Sequence, residues 1–555
     1  MSRRASLAFG LLLALSLAGC GGAAPAPAPA PVVLSVVGTN DLHGHLEALP
    51  LFGGYLRALR EARAEDGAVV LLDGGDMFQG TLESNLAEGA PVVAAYAALG
   101  YDAVTIGNHE FDFGPLGPSP IPESPEDDPR GALRARAREA AFPFLTANLL
   151  VDETGARVAW ENAPPSVLLE RAGVKIGVIG VTTEDTLTTT IAANVADLRM
   201  APLAESVARE ADALRARGAQ VILVAAHAGG RCERFDDPND LSSCDPEEEI
   251  FAVARALPAG AVDVIVGGHT HRGVAHVVNG TPIIESYAYG RAFGRVDLVV
   301  DPARGVVDRR VHPPRDLCAT GQLGDDCAPS EYEGRAVSPD PAVAAVTEPA
   351  IEAAREARER PLGVTLTGAF AQARERENAL GNLFTDLMRA AHPEAEVALT
   401  NGGGLRADLP AGPLTYGALY LSFPFDNRFA VVRLTGAQLT AIVAANLQDD
   451  GSFFSLSGVR ASARCEDGAL AVTLTREGGE VIAPDETITL VTTDYVATGG
   501  DGFPASEITV HDAQTVRDGV AEALTERGGA LAPDAFFTPS SPRVSYEGER
   551  PLQCR

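Results

Sequence analysis

The chain has 555 residues, which is too long for a single hydrophobic core, so the sequence predicts two or more domains. Its hydrophobic fraction of 46% and charged fraction of 21% are ordinary for a globular protein. The net charge of −31 argues against a nucleic-acid-binding protein, which needs a positively charged surface to meet the phosphate backbone. We therefore expect no nucleic-acid partner.

Residues 1–20 are typical of an export signal. A basic start precedes an apolar run, residues 7–19, that is too short to span a bilayer. The run meets Cys20 in the letters LAGC, which resemble a bacterial lipobox, so we expect a lipid anchor on Cys20; a plain signal peptide is the alternative. Residues 21–31, rich in Ala and Pro, predict an extended tether. The expected product is an exported lipoprotein on the periplasmic face of a membrane or on the cell surface.

The cysteines beyond Cys20 predict disulfides, because their number is even in a chain expected to be exported. Six cysteines allow fifteen pairings. Short separation favours two pairs and leaves a third by elimination, although the sequence alone does not fix the pairing. The pairs are Cys232–Cys244, Cys318–Cys327 and Cys465–Cys554.

Between residues 32 and 312, apolar runs alternate with helix-like stretches, which predicts a layered α/β domain. In such sheets, ligands gather beyond the carboxyl ends of the strands. The predicted strands are Val32–Val37, Val69–Leu72, Ala103–Ile106, Val174–Val181, Val221–Ala225 and Val262–Val266. Polar motifs follow apolar runs at Asp41-Leu42-His43, Gly75-Asp76, Gly107-Asn108-His109-Glu110, His227 with Gly229, and Gly268-His269-Thr270-His271.

These motifs supply nitrogen and oxygen ligands for two divalent metal ions, which can clamp an in-line displacement at phosphorus. Asp76, on a glycine turn, is predicted to bridge the two ions. Asp41 and His43 lie two apart on a segment predicted to be extended, so both side chains would reach one ion, together with His271. The predicted ligands of the second ion are Asn108, His227 and His269. Such a donor set suits Zn, Mn, Fe, Mg or Co; ordinary hydrogen-bonded residues at strand ends are the alternative.

His109 directly follows a predicted ligand, Asn108, and need not bind metal itself. We expect it to face the phosphate and to stabilise charge on the phosphate or on the leaving oxygen. Asp112 would hold the orientation of the His109 ring; a turn-forming aspartate is the alternative. Glu110 is expected to be structural.

A second domain is predicted after a connecting segment, residues 313–361. Its Pro-, Gly- and Asp-rich part ends at Asp340, which can cap a helix beginning at Pro341 and running to about residue 360. Residues 362–545 predict the second domain, with an amphipathic helix over Asn378–Ala391. Residues 546–555 form a C-terminal tail.

The motifs of both halves resemble one protein family. The first half is similar to a calcineurin-type metallophosphoesterase domain, and residues 32–545 together resemble the two-domain 5′-nucleotidases, which include bacterial UDP-sugar hydrolase/5′-nucleotidase and animal ecto-5′-nucleotidase. The resemblance implies a layered β-sandwich with flanking helices, joined by a helix to a smaller α/β substrate-binding domain. Because metal ligands and substrate contacts then lie on different domains, we expect a hinge rotation to bring them together.

Motifs in the second half narrow the resemblance to enzymes that act on nucleotides. They are Arg374 before Asn378-Ala379-Leu380-Gly381-Asn382-Leu383, the run Asn401–Arg406, Pro424-Phe425-Asp426-Asn427, and Tyr495 six residues before Asp501. The family often has Phe where this chain has Tyr495, and either ring can stack on a base. The resemblance implies that Arg374, Asn401 and Arg406 hold the phosphate and ribose, that Phe425 and Tyr495 stack on the base, and that Asp501 binds ribose hydroxyls. Core aromatics and surface ion pairs are the alternatives.

The expected function is release of phosphate from nucleoside 5′-monophosphates outside the cytoplasm, serving nucleotide scavenging, with no required protein partner. Alternatives on the same scaffold are a 2′,3′-cyclic nucleotide phosphodiesterase/3′-nucleotidase, a UDP-sugar hydrolase or a thiosulfohydrolase. A non-catalytic nucleotide-binding lipoprotein is the alternative from another class, and it would be expected to have lost metal ligands.

Overall fold

The computed structural model describes residues 30–117, 119, 121–122, 124–318, 327–504 and 508–554. The predicted signal segment 1–20, including Cys20, lies outside the described residues, as does nearly all of the predicted tether. Within the described ranges, no helix combines the length and the apolar character needed to cross a bilayer.

Strands and helices alternate through the first half of the chain, as predicted. The strands are β1 (Val32–Thr39), β2 (Gly67–Asp73), β3 (Ala103–Thr105), β4 (Phe144–Leu145), β5 (Leu149–Val151), β6 (Ser166–Arg171), β7 (Val174–Thr182), β8 (Leu198–Met200), β9 (Val221–His227), β10 (Val264–Val266), β11 (Gly273–Val278), β12 (Thr281–Ser286), β13 (Ala292–Asp301) and β14 (Gly305–Asp316). The helices are α1 (Leu49–Arg63), α2 (Leu82–Asn85), α3 (Ala90–Leu99), α4 (Gly131–Glu139), α5 (Thr186–Thr189), α6 (Ala192–Val195), α7 (Leu203–Ala216) and α8 (Glu249–Ala256).

Two six-stranded sheets pack face to face in this half, with strand orders β14-β13-β1-β2-β3-β4 and β11-β12-β10-β9-β7-β6. Their inner faces share one apolar cluster, to which Val36, Val70, Val178 and Leu223 belong. Helices α1, α3 and α4 cover one outer face, and α7 and α8 cover the other. Because both faces of the central strands are covered, these strands are continuous apolar runs. The predicted layered β-sandwich with flanking helices is confirmed.

The parallel pairing of the central strands brings the polar motifs to one edge. β1 pairs in parallel with β2, and β2 with β3, while β9 pairs in parallel with β7 and β10. The carboxyl ends of these strands therefore lie together, and each motif lies at one of these ends.

Helix α9 (Pro341–Glu359) connects the two halves. It begins as predicted, because the Asp340 side chain accepts hydrogen bonds from the backbone N–H groups of Ala342 and Val343. Near its end, Arg358 forms an ion pair with the buried Glu83 of α2. Strand β14 continues to Asp316, so the predicted boundary at residue 312 falls inside a strand; the domain limits stay predictions.

The second half is a smaller α/β unit built on a five-stranded sheet. Its neighbouring strands are, in order, Phe454–Ser457, Val397–Asn401, Thr487–Thr493, Arg428–Thr435 and Ile508–Thr515. Asn378 caps the helix Ala379–Ala391 by accepting a hydrogen bond from the N–H of Gly381. The remaining strands are β15 (Pro361–Leu366), β16 (Val397–Asn401), β17 (Gly412–Thr415), β18 (Arg428–Thr435), β19 (Phe454–Ser457), β20 (Val459–Glu466), β21 (Ala469–Arg476), β22 (Thr487–Thr493), β23 (Ile508–Thr515), β24 (Gly529–Leu531) and β25 (Val544–Ser545). The remaining helices are α10 (Ala379–Ala391), α11 (Tyr416–Ser422), α12 (Gly436–Leu447), α13 (Asp494–Ala497) and α14 (Val516–Arg527).

The predicted disulfide pairing is confirmed: the bonds are Cys232–Cys244, Cys318–Cys327 and Cys465–Cys554. The first two close loops of 12 and 9 residues, whereas the third links residues 89 apart and ties the C-terminal tail to β20. A disulfide that closes a longer loop restricts the unfolded chain more.

The loop lengths predict different stabilities for two double variants. Replacing Cys465 and Cys554 by serine should lower the free energy of unfolding by about 2 kcal/mol more than replacing Cys232 and Cys244, because the loop is longer. Urea denaturation followed by circular dichroism measures both losses. An equal or smaller loss for the Cys465–Cys554 pair would contradict the prediction.

Candidate metal centre and adjoining cavity

The first group of predicted metal ligands comes together at the shared edge of the two sheets. His43 Nε2 lies 3.0 Å from His271 Nε2, and His271 Nε2 lies 3.4 Å from Asp41 Oδ1. Ligand atoms of these three residues all lie within 4.8 Å of one another. The structure thus brings together the three residues predicted to share one ion.

The second group converges beside the first. Asn108 Oδ1 is 2.9 Å from His227 Nε2 and 3.1 Å from His269 Nδ1. Asp76 Oδ2 is 3.2 Å from His227 Nε2 and 3.9 Å from His43 Nε2, so this oxygen faces both groups. The other oxygen of Asp76 accepts a hydrogen bond from the His109 N–H. Asp76 therefore has the placement that a bridging ligand requires.

Five of the seven predicted ligands have a left-handed backbone conformation. Asp41 and His43 both have φ of 49°, Asp76 has φ of 56°, and His269 and His271 have φ of 84° and 57°. The predicted extended segment at Asp41–His43 is therefore wrong: the two side chains converge through a tight turn. Non-glycine residues rarely adopt this conformation, and it concentrates at functional sites because the surrounding structure must hold it there.

Two of the histidines are oriented by backbone carbonyl groups. His43 Nδ1 donates to Gln79 O at 2.7 Å, and His227 Nδ1 donates to Gly74 O at 2.8 Å. In both rings Nε2 is left to face the other ligands, which is the usual arrangement for a metal-binding imidazole. Among the predicted ligands, burial lowers the pKa of His43 and of His269 to about 4. The imidazole rings of these two residues are therefore neutral at pH 7.

This donor set fits two divalent cations. It is composed of carboxylate, amide and imidazole donors that converge in a buried space, which Zn and other first-row metals accept. The third group of close potential ligands among the described residues, Cys232, Cys244 and His276, does not fit, because its sulfurs form a disulfide. The structure therefore brings the predicted ligands together in a donor set that fits two cations; they are Asp41, His43, Asp76, Asn108, His227, His269 and His271.

Glu110 holds the loop that carries Asp76. Its carboxylate is fully buried and accepts hydrogen bonds from the backbone N–H groups of four residues: Asp76, Met77, Phe78 and Gly107. The expectation that Glu110 is structural agrees with these contacts. The side chain makes a turn possible that would otherwise bury four unpaired donors.

His109 and Asp112 form a hydrogen-bonded pair at the entrance of the metal centre. His109 Nδ1 lies 2.5 Å from Asp112 Oδ2, which leaves Nε2 for a ligand. Burial opposes the charged form of the ring, but the carboxylates of Asp112 and Asp76 outweigh it and raise the pKa of His109 to about 9. A protonated His109 suits the stabilisation of an anionic group.

A cavity of about 400 Å³ joins this centre to the second half of the chain. On the first-half side it is lined by Asp76, Asn108, His109, Asp112, His269 and His271. On the second-half side the lining includes every predicted substrate-binding residue, namely Arg374, Asn401, Arg406, Phe425, Tyr495 and Asp501. Arg376, a near neighbour of Arg374, is not among the lining residues. The two predicted subsites therefore share one space.

Asp494 links the segments that carry Phe425 and Tyr495, the two aromatic residues predicted to stack on the base. Its Oδ1 accepts from the Asn427 side chain at 2.8 Å and from the Tyr495 N–H at 2.7 Å. The Arg406 guanidinium lies 5.3 Å from the centre of the Phe425 ring, within cation–π range. Phe425 and Tyr495 are thus placed on short segments with a common support.

The predicted ribose contacts also meet. The Asn401 side chain donates a short hydrogen bond to Asp501 Oδ2. Gly403 lies beside both, since a Cβ on it would stand 3.5 Å from Asn401 Nδ2 and 3.7 Å from Asp501 Oδ2. The same Cβ would stand only 2.6 Å from Ser452 Oγ, so a side chain at this position would crowd the cavity lining.

Gln79 and Thr190 are among the cavity-lining residues that were not predicted from the sequence. Gln79 lines the cavity and donates from its amide to Pro424 O at 3.1 Å, which joins the two halves. Thr190 also lines the cavity and donates to Asp112 Oδ1 at 2.7 Å. Neither stands in a ligand-like motif, and only the proximity of Gln79 to Asp76 in sequence could have suggested it.

The contacts of Glu110 predict that Glu110→Gln weakens metal binding. The amide would turn N–H groups toward backbone donors, a mismatch that costs about 1–3 kcal/mol. Changes in groups that orient metal ligands lower metal affinity by roughly 10–100-fold. Metal titration by calorimetry measures the affinity, with the exposed Glu65→Gln as control. Unchanged affinity in Glu110→Gln would contradict the prediction.

Family models match both halves of the chain. The calcineurin-like phosphoesterase model matches residues 34–273, and the model of the 5'-nucleotidase C-terminal domain matches residues 360–507. Together they span more than half of the chain, and they fall on the two halves that meet at the cavity.

The chain is similar to known proteins over most of its length. Protein UshA of Escherichia coli (strain K12) is 28% identical over 506 residues, covering 85% of this chain and 86% of that protein. A 5'-nucleotidase of Vibrio cholerae is 27% identical over 520 residues, covering 86% of each. The solved structure of a 5'-nucleotidase precursor from Thermus thermophilus superposes with a TM-score of 0.64 at 23% identity, covering 90% of this chain and 99% of that one. The chain belongs to the two-domain 5′-nucleotidase family of calcineurin-like metallophosphoesterases.

Proposed function

We propose that this protein releases phosphate from nucleoside 5′-monophosphates with two divalent cations. The observation that carries the proposal is the shared cavity, in which the metal centre faces two arginines and an aromatic pair. A phosphate at one end and a base at the other would lie within a single space. A non-catalytic nucleotide-binding protein would not need both groups of metal ligands, so their presence argues against that alternative.

The metal centre would be held by the residues predicted for it. Asp41, His43 and His271 would hold one cation, Asn108, His227 and His269 the other, and Asp76 both. Divalent cations at such a site supply Lewis acidity, which activates water and neutralises phosphate charge. Around them, the buried carboxylates of Asp41 and Asp76 provide the negative charge that retains the cations.

His109 would stabilise the charge that develops on the phosphate or on the leaving oxygen. Its Nδ1 is engaged by Asp112, so Nε2 is the nitrogen left to donate to an oxygen of the substrate. A ring held in one orientation loses little entropy when the substrate binds, which favours the transition state.

The second half would hold the rest of the nucleotide. Arg374 and Arg406 offer forked donors for phosphate oxygens. Phe425 and Tyr495 would stack on the base, which binds any base without reading its edge. Asn401 and Asp501 would bind ribose hydroxyls. We propose that residues 362–545 form the substrate domain, which carries these contacts. Residues 32–312 would form the catalytic domain and residues 313–361 the hinge segment.

A substrate panel tests the proposed function. Hydrolysis of AMP, UDP-glucose, 2′,3′-cyclic AMP and p-nitrophenyl phosphate would be measured by chromatography of the organic products together with an assay of free phosphate. Each substrate would be tested with Mn²⁺, Zn²⁺ or Mg²⁺, with and without chelator. We expect AMP to have the highest kcat/KM and chelator to abolish turnover. A preference for the cyclic nucleotide or for UDP-glucose would favour those activities, and no phosphate release with any metal would overturn the proposal.

His109→Ala should lower kcat by roughly 10²–10³-fold, because one charge-stabilising donor is removed from the transition state. The metal content should stay at the wild-type value, since His109 is not a proposed ligand. Steady-state kinetics on AMP and elemental analysis of the same sample measure the two quantities, with His392→Ala, directly after α10, as control. A wild-type kcat, or loss of metal, would contradict the role.

Phe425→Ala should raise KM for AMP by roughly tenfold while changing kcat little, because stacking on a base is worth about 1–3 kcal/mol. Phe425→Tyr keeps an aromatic face and should restore the KM. p-Nitrophenyl phosphate has no nucleobase, so its kcat/KM should change little in either variant. An equal loss on both substrates would show that the ring acts on the metal centre instead.

We also propose that the chain is an exported lipoprotein. The three disulfides support export, because such bonds persist in oxidising compartments. Cys20→Ser should move the protein from the membrane fraction to the soluble fraction of a bacterial host while leaving AMP hydrolysis unchanged. An unchanged membrane fraction would contradict the lipid anchor.

A further inference from the structure

Thr190 contacts the catalytic pair from the side that His109 does not occupy. Its Oγ1 donates to Asp112 Oδ1 at 2.7 Å, while Asp112 Oδ2 faces His109 Nδ1 at 2.5 Å. Both oxygens of the carboxylate are therefore engaged. The three side chains form a continuous hydrogen-bonded series that ends at the cavity.

The hydroxyl of Thr190 restricts rotation of the Asp112 carboxylate, which the hydrogen bond to His109 alone leaves free. The carboxylate of an aspartate turns about its last torsion with broad preferences. A second donor on the opposite oxygen sets the plane of the group, and the plane sets the direction along which Nδ1 of His109 donates. Thr190 is only 7% exposed, so most of its side chain is packed against protein atoms.

The segment that carries Thr190 is firmly attached to the motif it serves. The Asn194 side chain donates to Phe111 O at 2.8 Å, and the Asn108 side chain donates to Thr189 O at 3.4 Å. These contacts lie on either side of Thr190. The position of its hydroxyl relative to Asp112 is thus set by the fold and not by the one hydrogen bond.

We infer that Thr190 is a positioning residue for phosphoester hydrolysis, acting through Asp112 to hold the ring of His109 toward the substrate. The inference rests on the proposed function and adds to it a residue outside the motifs that define the site. Small displacements of a catalytic group lower rates strongly, because the reactive geometry is narrow. The effect should therefore fall on kcat and not on substrate binding.

Thr190→Val removes the hydroxyl and keeps the shape of the side chain. We expect kcat for AMP and for p-nitrophenyl phosphate to fall by roughly tenfold, with KM within twofold of wild type, because a charged hydrogen bond is lost. Thr190→Ser keeps the donor and should restore kcat to within twofold. Thr186 lies on the same segment, and its buried hydroxyl does not line the cavity. Thr186→Val should therefore leave kcat unchanged.

A double-variant cycle separates positioning from a structural role. If Thr190 acts through His109, Thr190→Val should cause no further loss of kcat in the His109→Ala background. Equal losses in both backgrounds, or a wild-type kcat in Thr190→Val, would overturn the inference. So would a lower melting temperature or metal content in both Thr190→Val and Thr190→Ala, since that result assigns a structural role.

The two substrates keep this test distinct from that of the proposed function. Hydrolysis of p-nitrophenyl phosphate without hydrolysis of AMP would overturn the nucleotide assignment, yet the effect of Thr190→Val could still be measured. Hydrolysis of AMP with no effect of Thr190→Val would overturn only the inference about Thr190.

Discussion

Buried negative charge at the edge of two sheets is the constraint on which the rest of the structure depends. Asp41 and Asp76 are almost completely buried, and imidazole rings surround them. Burying carboxylates is costly unless opposite charge compensates them. Two cations would provide that compensation, and the parallel strands provide the edge at which the carboxylates meet. The fold thus buries negative charge that bound cations would neutralise.

Bringing the ligands together around this buried charge requires an unusual backbone conformation. Several ligands adopt left-handed conformations, which cost energy and persist only where neighbouring groups enforce them. Glu110 enforces one such turn by accepting four backbone N–H groups around Asp76, and Gln79 and Gly74 orient histidines through their carbonyl groups. Hydrogen bonds from the protein itself therefore hold these ligands in position.

Much of this site could be predicted from the sequence, because its ligands sit in short motifs directly after apolar strands. Strand periodicity located Asp76 and His227, and the separation of the cysteines located the disulfides. The left-handed turn at Asp41–His43 could not be predicted, since local residue types permit an extended segment equally well. Thr190 was also missed: its partner Asp112 is 78 residues away, and only tertiary packing brings them together.

The link between the halves explains how metal chemistry and substrate choice are combined. The loop that begins at Asp76 continues through Gln79, which contacts Pro424, and into α2, where Glu83 pairs with Arg358 at the end of α9. The next residue after Pro424 is Phe425, a proposed base contact. One short stretch of the first half therefore touches both the metal centre and the elements that carry the substrate contacts.

The most direct test is the number and position of bound cations in metal-replete crystals. Anomalous scattering and elemental analysis should show two divalent cations per chain, one among Asp41, His43 and His271 and the other among Asn108, His227 and His269, with Asp76 touching both. A single cation, or none, in fully loaded protein would contradict the account.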